Sequence, residues 1–150
     1  MQKIIRVEFY EREQIADELL TRAVIIAEHD GKLVYCKHKS RDTYEFPGGH
    51  REEGEDITDT ARRELYEETG AVDYFLRPIC VFSVVRGNEE TGAVATQSYG
   101  LLCYADVFSF ERDLQFEIEK IVISDEVPGE WTYPETLPIL LAEAKAREIL

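Results

Sequence analysis

The chain is poor in positive charge. It has 17 lysines and arginines against 31 aspartates and glutamates among 150 residues, which gives a formal net charge of −14. Because a generic nucleic-acid interface needs clustered basic side chains, this balance argues against bare nucleic acid as a partner. An anionic small molecule remains compatible with it, since a divalent cation can bridge carboxylates and phosphates.

Cysteine and long apolar runs are also scarce. Cys36, Cys80 and Cys103 form no CxxC pair and lie inside apolar runs, which predicts buried reduced thiols rather than disulfides or a zinc site. No uncharged run approaches the roughly 20 apolar residues of a membrane helix, and charges interrupt the N-terminal segment too often for a signal peptide. We therefore expect a cytoplasmic protein that does not enter a membrane.

The remaining composition predicts one folded domain over residues 1–150. Hydrophobic residues make up 44% of the chain, and it has only nine glycines and five prolines. Strands and helices are mixed along it, so we expect a mixed α/β (α+β) fold in which helices flank a sheet. The predicted strands are residues 4–9, a hairpin turning at Asp30-Gly31, two long central runs at 74–87 and 97–110 joined by an exposed connection, and a strand or irregular segment at 114–123.

Two amphipathic helices are predicted. The first follows a polar, Gly-rich loop (39–55); it begins near Asp56, which can cap free backbone N–H groups, and ends at Gly70, which suits a left-handed position. The second covers residues 136–150, where four apolar residues recur at helical spacing. Those four residues are Leu137, Leu140, Leu141 and Ala144.

The first helix carries an unusual group of acids. Its apolar stripe is Ile57, Ala61 and Leu65, and the spacing places Glu64 and Glu68 at the edge of that stripe rather than on the opposite face. Carboxylates at the margin of a buried face need a counter-charge. A hard divalent cation, Mg²⁺ or Mn²⁺, would satisfy Glu64, Glu67 and Glu68 together.

The spacing around these acids resembles the signature of the Nudix hydrolases, whose MutT-like members are nucleotide pyrophosphohydrolases. From Gly49 there are five residues to Glu55 and seven more to Arg63, followed directly by "ELYEETGA". Every fixed position of the signature matches, and the one soft departure is Ala71, where the family has a larger aliphatic residue. The resemblance implies the Nudix fold, a mixed sheet between helices.

The resemblance also implies the roles of individual residues. Glu64, Glu67 and Glu68 would be the principal Mg²⁺ ligands (Mn²⁺ being an alternative), Arg63 would orient them, and the Gly49 carbonyl would contact the metal. In the preceding "EFPGG", the glycines would let the backbone approach metal and phosphate. The implied substrate-binding residues there are Phe46, Gly48 and His50.

The implied reaction is hydrolysis of a diphosphate linkage in a nucleoside diphosphate derivative, a small-molecule substrate. The general base would be a glutamate of the signature segment 49–71 (the Nudix box) or a glutamate from a distant loop. The later segment "SDEVPGEW" makes Glu126 a candidate for the base or for an added metal ligand. Relatives often dimerise, so a homodimer is one expected assembly.

The sequence is compatible with several substrates for such a hydrolase and with two alternative functions. Among substrates, oxidised or non-standard nucleoside triphosphates lead, and ADP-ribose, nucleotide sugars, dinucleoside polyphosphates and capped RNA ends remain alternatives. A non-catalytic nucleotide-binding module would usually have lost a metal carboxylate, whereas this chain keeps all three. An isoprenoid diphosphate isomerase would need a nucleophilic cysteine near the site, for which none of the three has the context.

Overall fold

The computed structural model describes residues 3–111 and 118–150. Its strands and helices follow one another in the order β1 (Lys3–Tyr10), β2 (Leu20–His29), β3 (Lys32–His38), β4 (Gly48–His50), α1 (Ile57–Thr69), β5 (Ala71–Gly87), β6 (Val94–Phe110), β7 (Ile118–Ser124) and α2 (Leu137–Ala146). Two 3-10 turns, Arg12–Gln14 and Asp17–Leu19, connect β1 to β2.

All seven strands of the described residues belong to one mixed sheet. The order across it is β1-β5-β6-β2-β3-β7, and the short β4 pairs with the first half of β2. The β2–β6 pair is parallel and the other pairs are antiparallel. The mixed sheet with helices that the sequence predicted is therefore confirmed.

The two helices cover opposite faces of the sheet. On β2, Ala23, Ile25 and Ala27 pack in a core cluster with the apolar side of α1, whereas Ile26 packs in a second cluster with α2. This alternation follows from the two-residue period of a strand. All four apolar residues predicted for α2 are buried in the second cluster.

Helix α1 has the ends that its sequence predicted. Asp56 is the N-cap, with a side chain that accepts a hydrogen bond from the Thr58 N–H, and Gly70 at φ 78° is the left-handed C-cap. Ile57, Ala61 and Leu65 are all 0% exposed. The helix is therefore fixed at both ends and along one face, which sets the direction of the acids beside Leu65.

The remaining segments follow the sequence predictions with shifts of a few residues. The β2–β3 hairpin turns at Asp30 (φ 50°) and Gly31 (φ 79°) as expected. Strand pairing extends the predicted central strands, so that β5 begins at Ala71 rather than Tyr74 and β6 at Val94 rather than Gln97, and it adds β4 to the predicted 39–55 loop. Helix α2 ends at Ala146, shortly before Glu148 at φ 59°. Of the predicted 114–123 segment, residues 118–123 are strand and residues 114–117 lie outside the described residues.

The three cysteines lie in the interior of the fold. Cys36, Cys80 and Cys103 are all buried free thiols, as predicted. Across residues 3–111 and 118–150, no helix has the length and apolar character needed to cross a bilayer.

We predict that Leu65→Ala lowers the free energy of unfolding by about 2–5 kcal/mol, because it leaves a cavity between α1 and the sheet. Urea unfolding monitored by circular dichroism measures this change. Val72→Ala, at a residue that is 49% exposed on β5, is the matched control with an expected change near 0.5 kcal/mol. Equal effects of the two substitutions would contradict the packing described here.

Candidate active site

The acids of α1 meet the sheet where β2 and β4 pair. The antiparallel register places Ala23 opposite Gly49 and Val24 opposite Gly48. Glu68 is only 6% exposed, and its Oε1 accepts a hydrogen bond from the Gly48 N–H at 2.7 Å. The last turn of α1 is therefore joined to β4 through a buried carboxylate.

Arg63 is the main counter-charge for the other acids. Its Nε lies 2.8 Å from Oε2 of Glu55, and its Nη1 lies 2.8 Å from Oε1 of Glu64 and 3.3 Å from Oε2 of Glu67. Its Nη2 also donates to the His50 carbonyl at 2.9 Å. One guanidinium thus orients two box carboxylates and connects the helix to the loop before it.

Glu68 has a histidine, His38, as its neighbour. The Nε2 atom of His38 lies 2.8 Å from Oε2 of Glu68 and 3.0 Å from Oε1 of Glu45, and Glu45 is itself 6% exposed. Contact with the Glu68 carboxylate raises the pKa of His38 above its usual value. Arg41 contacts the other oxygen of Glu45 at 3.2 Å. Two buried acids therefore share one imidazole.

These contacts leave the carboxylates short of positive charge. Burial, followed by the charge of Glu68, raises the pKa of Glu64 to about 7, and burial raises the pKa of Glu68. The opposite holds for Glu55, where hydrogen bonds from Arg63 lower the pKa to about 2. Arg63 is thus committed chiefly to Glu55, and the pair Glu64 and Glu68 remains poorly neutralised.

Two glycines beside these acids lie in close contact with neighbouring atoms. A Cβ atom at Gly48 would collide with the Ala23 carbonyl oxygen, and one at Gly49 would collide with the Glu64 carboxylate. The backbone of β4 therefore lies directly against Glu64.

The donor set fits a hard divalent cation. Glu64, Glu67 and Glu68 offer carboxylate oxygens of the kind that Mg²⁺ and Mn²⁺ prefer, and burial raises the pKa of Glu64, a cost that a bound cation would offset. His38, Glu45 and Glu68 form an adjoining group whose ligand atoms all lie within 4.8 Å of one another. Glu68 belongs to both groups.

A cavity of about 1060 Å³ opens over this cluster and is large enough for a nucleotide. Its lining includes all the residues that the sequence predicted for metal and substrate except Glu126: Phe46, Gly48, Gly49, His50, Arg63, Glu64, Glu67 and Glu68. Phe46 is 3% exposed, and its ring centroid is 5.2 Å from that of Tyr35 and 5.4 Å from that of Trp131. Phe46 thus contributes mainly a wall of the cavity.

Glu126 lies elsewhere. It is exposed in the segment after β7, where its N–H donates to Ser124 Oγ at 3.1 Å, and it is not among the described residues that line the cavity. The structure therefore does not bring Glu126 together with Glu64, Glu67 and Glu68.

Sequence reasoning left most residues of the cavity lining unassigned, and four of them carry a charge or a proton that bears on the site. His38, Glu45, Arg22 and Arg86 reach the cavity from different strands and loops. Glu45 stands within the "EFPGG" motif, which was a usable signal. No sequence signal pointed to His38, because its approach to Glu68 depends on the bridge between Cys36 and Glu45 that folds the loop back on β3.

The comparisons with known proteins agree with this geometry. A family model described as "NUDIX domain" matches residues 18–148, and the chain belongs to that family. A mouse relative named "Nucleoside diphosphate-linked moiety X motif 6" is 33% identical over 93 residues, which cover 62% of this chain and 26% of that protein. The human relative of the same name is 35% identical over 78 residues. The chain thus spans about a quarter of the length of these curated relatives.

Solved structures show the same fold. A pyrophosphohydrolase from Bacillus subtilis superposes with a TM-score of 0.74 at 26% identity, covering 94% of this chain and 90% of that one. A UDP-X diphosphatase superposes with a TM-score of 0.65 at 18% identity, over 86% of this chain and 64% of that one. A Nudix hydrolase from Nitrosomonas europaea has a TM-score of 0.61 at 20% identity, over 87% of this chain and 95% of that one. The fold is that of the Nudix hydrolases.

The Glu55–Arg63 contact predicts a specific dependence of stability on pH. Because the folded-state pKa of Glu55 is about 2 against 4.5 in the unfolded chain, its contribution is complete above pH 4.5 and is lost as the pH falls toward 2. Glu55→Gln should therefore lower the unfolding free energy by about 2 kcal/mol at pH 7, with the difference from the wild type narrowing below pH 4.5. Urea unfolding at pH 7 and at pH 3 measures it. A difference that stays constant over this range would contradict the assignment.

Proposed function

We propose that this chain is a Mg²⁺-dependent hydrolase of diphosphate linkages in nucleoside diphosphate derivatives. The observation that carries the proposal is the convergence of Glu64, Glu67 and Glu68 at one nucleotide-sized cavity, where the pKa of Glu64 is raised to about 7. Family membership supports it, and so do the names of the mouse and human relatives. Mn²⁺ would serve in the same donor set.

The proposed metal ligands are the three glutamates together with the Gly49 carbonyl. A bound dication would neutralise charge on the phosphoryl oxygens and lower the pKa of coordinated water. Arg63 keeps Glu64 and Glu67 oriented, and the Gly48 N–H fixes Glu68. The attacking water then gives its proton to a carboxylate, and the exposure of Glu126 outside the cavity favours a box glutamate for this role.

The proposed substrates are nucleotides with a phosphoanhydride, including non-standard or oxidised nucleoside triphosphates. Support comes from the Bacillus subtilis pyrophosphohydrolase, whose likeness covers nearly the whole of both chains. The cavity combines the anionic box with a wall at Phe46 and the neighbouring Gly48 and His50, which suits a polar polyphosphate attached to an apolar base.

We also retain as proposals a single domain over residues 1–150, a cytoplasmic location and a homodimer as one assembly.

We predict that Glu67→Gln lowers kcat at least 100-fold, because it removes a charged metal ligand at the reacting centre. The assay is phosphate or pyrophosphate release with Mg²⁺ from a panel of nucleoside triphosphates, ADP-ribose, nucleotide sugars and dinucleoside polyphosphates. Asp59→Asn, at an exposed carboxylate of the same helix outside the cavity lining, is the matched control and should keep full activity.

Two results would contradict this function. Wild-type protein that turns over no member of the panel with either Mg²⁺ or Mn²⁺ would favour the non-catalytic nucleotide-binding module. Turnover that is equal in wild type and Glu67→Gln would show that the chemistry occurs at another place in the molecule.

A second prediction tests the metal ligands without turnover. Because a Cβ at residue 49 would collide with the Glu64 carboxylate, Gly49→Ala should displace that side chain and weaken Mn²⁺ binding at least 10-fold. Electron paramagnetic resonance titration of free Mn²⁺ measures the affinity. Gly129→Ala is the control, since a Cβ there meets no atom within 4 Å. Unchanged Mn²⁺ affinity in Gly49→Ala would place the metal away from Glu64.

A further inference from the structure

Two arginines of the cavity have no acidic partner in the described part of the chain. Five arginines line it, and three of them form ion pairs: Arg41 with Glu45, Arg51 with Asp17 and Arg63 with Glu55. Within residues 3–111 and 118–150, Arg22 and Arg86 form none, and the buried Nε of Arg22 has no hydrogen-bond partner. In a chain with 31 acidic residues, such a pair beside a cavity offers positive charge to an anion from outside.

The path of the Arg22 side chain is fixed by a glycine. Arg22 on β2 and Phe82 on β5 both pair with Gly100 of the intervening strand β6. A Cβ at residue 100 would lie 2.6 Å from Phe82 Cζ and 3.1 Å from Arg22 Cγ. The missing side chain lets Arg22 cross β6, so that its guanidinium carbon lies 5.4 Å from the centre of the Phe82 ring. The guanidinium is therefore held in one orientation.

Arg86 adds a second positive charge on the same face of the sheet. It is four residues beyond Phe82 on β5, so the two side chains share a face, and it is exposed to the cavity. Burial lowers the pKa of Arg22, and the charge of Arg86 lowers it further, which shows that the two guanidinium groups repel each other. A bound anion would offset both the burial of the Arg22 charge and its repulsion by Arg86.

This basic pair is separate from the box carboxylates. Strand β2 has β4, with Gly49 and His50, on one side and β6 on the other, and Arg22 extends toward β6. An anion at Arg22 and Arg86 therefore lies across the cavity from Glu64, Glu67 and Glu68. A substrate that contacts both the basic pair and the box carboxylates needs a third phosphate, in addition to the two phosphates of the cleaved diphosphate that the box would bind.

We propose that Arg22 and Arg86 form a binding site for a phosphate group outside the cleaved diphosphate, so that nucleotides with a third phosphate are preferred. Paired guanidinium groups suit the several oxygens of a phosphate. This inference rests on the proposed function. The third phosphate belongs to the polyphosphate chain of a nucleoside triphosphate or to a phosphorylated ribose.

Selectivity in turnover gives the first test. Arg22→Gln and Arg86→Gln should each lower kcat/KM about 10-fold or more for substrates with a third phosphate while changing it little for their diphosphate counterparts. One arm compares a nucleoside triphosphate with the diphosphate, and the other compares 2′-phospho-ADP-ribose with ADP-ribose. A selective loss in either arm supports the site and identifies the source of the phosphate. An equal loss of kcat/KM for the substrate with the third phosphate and for its diphosphate counterpart, in both arms, would overturn the proposed site.

Binding without turnover gives the second test. Calorimetry with Mg²⁺ and a nucleoside triphosphate analogue in which both bridging oxygens are methylene groups should show about 10-fold weaker binding for each variant. The matching diphosphate analogue should bind unchanged. Arg77→Gln is the matched control, because Arg77 is exposed on β5, stacks on Tyr104 and does not line the cavity. Equal binding of the triphosphate analogue by wild type and both variants would overturn the inference.

A purely structural role for Arg22 and an inactive wild-type protein would each give a distinct result. If Arg22 served only to pack on Phe82, Arg22→Gln would lower the thermal midpoint and would weaken binding of the triphosphate and diphosphate analogues equally, which would overturn the inference. If wild-type protein hydrolysed no substrate, the proposed function would fail, and the calorimetric comparison would still decide whether the arginines bind the third phosphate.

Discussion

The structure depends on carboxylates that are buried where α1 ends beside β2 and β4. Glu68 is almost fully buried, and Glu64 carries a pKa raised to about 7, yet both belong to a helix whose apolar face is completed by Leu65. Burial of acids costs free energy unless hydrogen bonds or counter-charges offset it. The Gly48 N–H, His38 and Arg63 offset part of that cost, and the remaining negative charge is what would draw a dication to this point.

The sheet serves this site by close approach of its backbone. Gly48 and Gly49 let β4 lie against β2 and Glu64, and Gly100 lets Arg22 cross β6 to Phe82. Each of these contacts would be blocked by a single methyl group. The cavity consequently has an acidic side at α1 and a basic side formed by Arg22 of β2 and Arg86 of β5, although the chain as a whole carries a net charge of −14.

The sequence predicted most of what local chemistry determines. Helix α1 and its caps, the Asp30-Gly31 turn and the edge position of Glu64 and Glu68 follow from spacing and turn chemistry, and the structure has them. The partners of those acids were not predictable in the same way. His38 meets Glu68 across 30 positions of sequence, through a bridge between β3 and the following loop. Contacts of that kind depend on strand register, which hydrophobic pattern alone does not specify.

We propose that a dication occupies the volume between the box carboxylates and the Gly49 backbone. Anomalous diffraction from crystals soaked in Mn²⁺ tests it most directly, because the manganese signal locates the ion independently of any assumed ligand. We expect a peak bonded to oxygens of Glu64, Glu67 or Glu68 at about 2.2 Å. Well-ordered carboxylates with no anomalous peak among them at millimolar Mn²⁺ would contradict it.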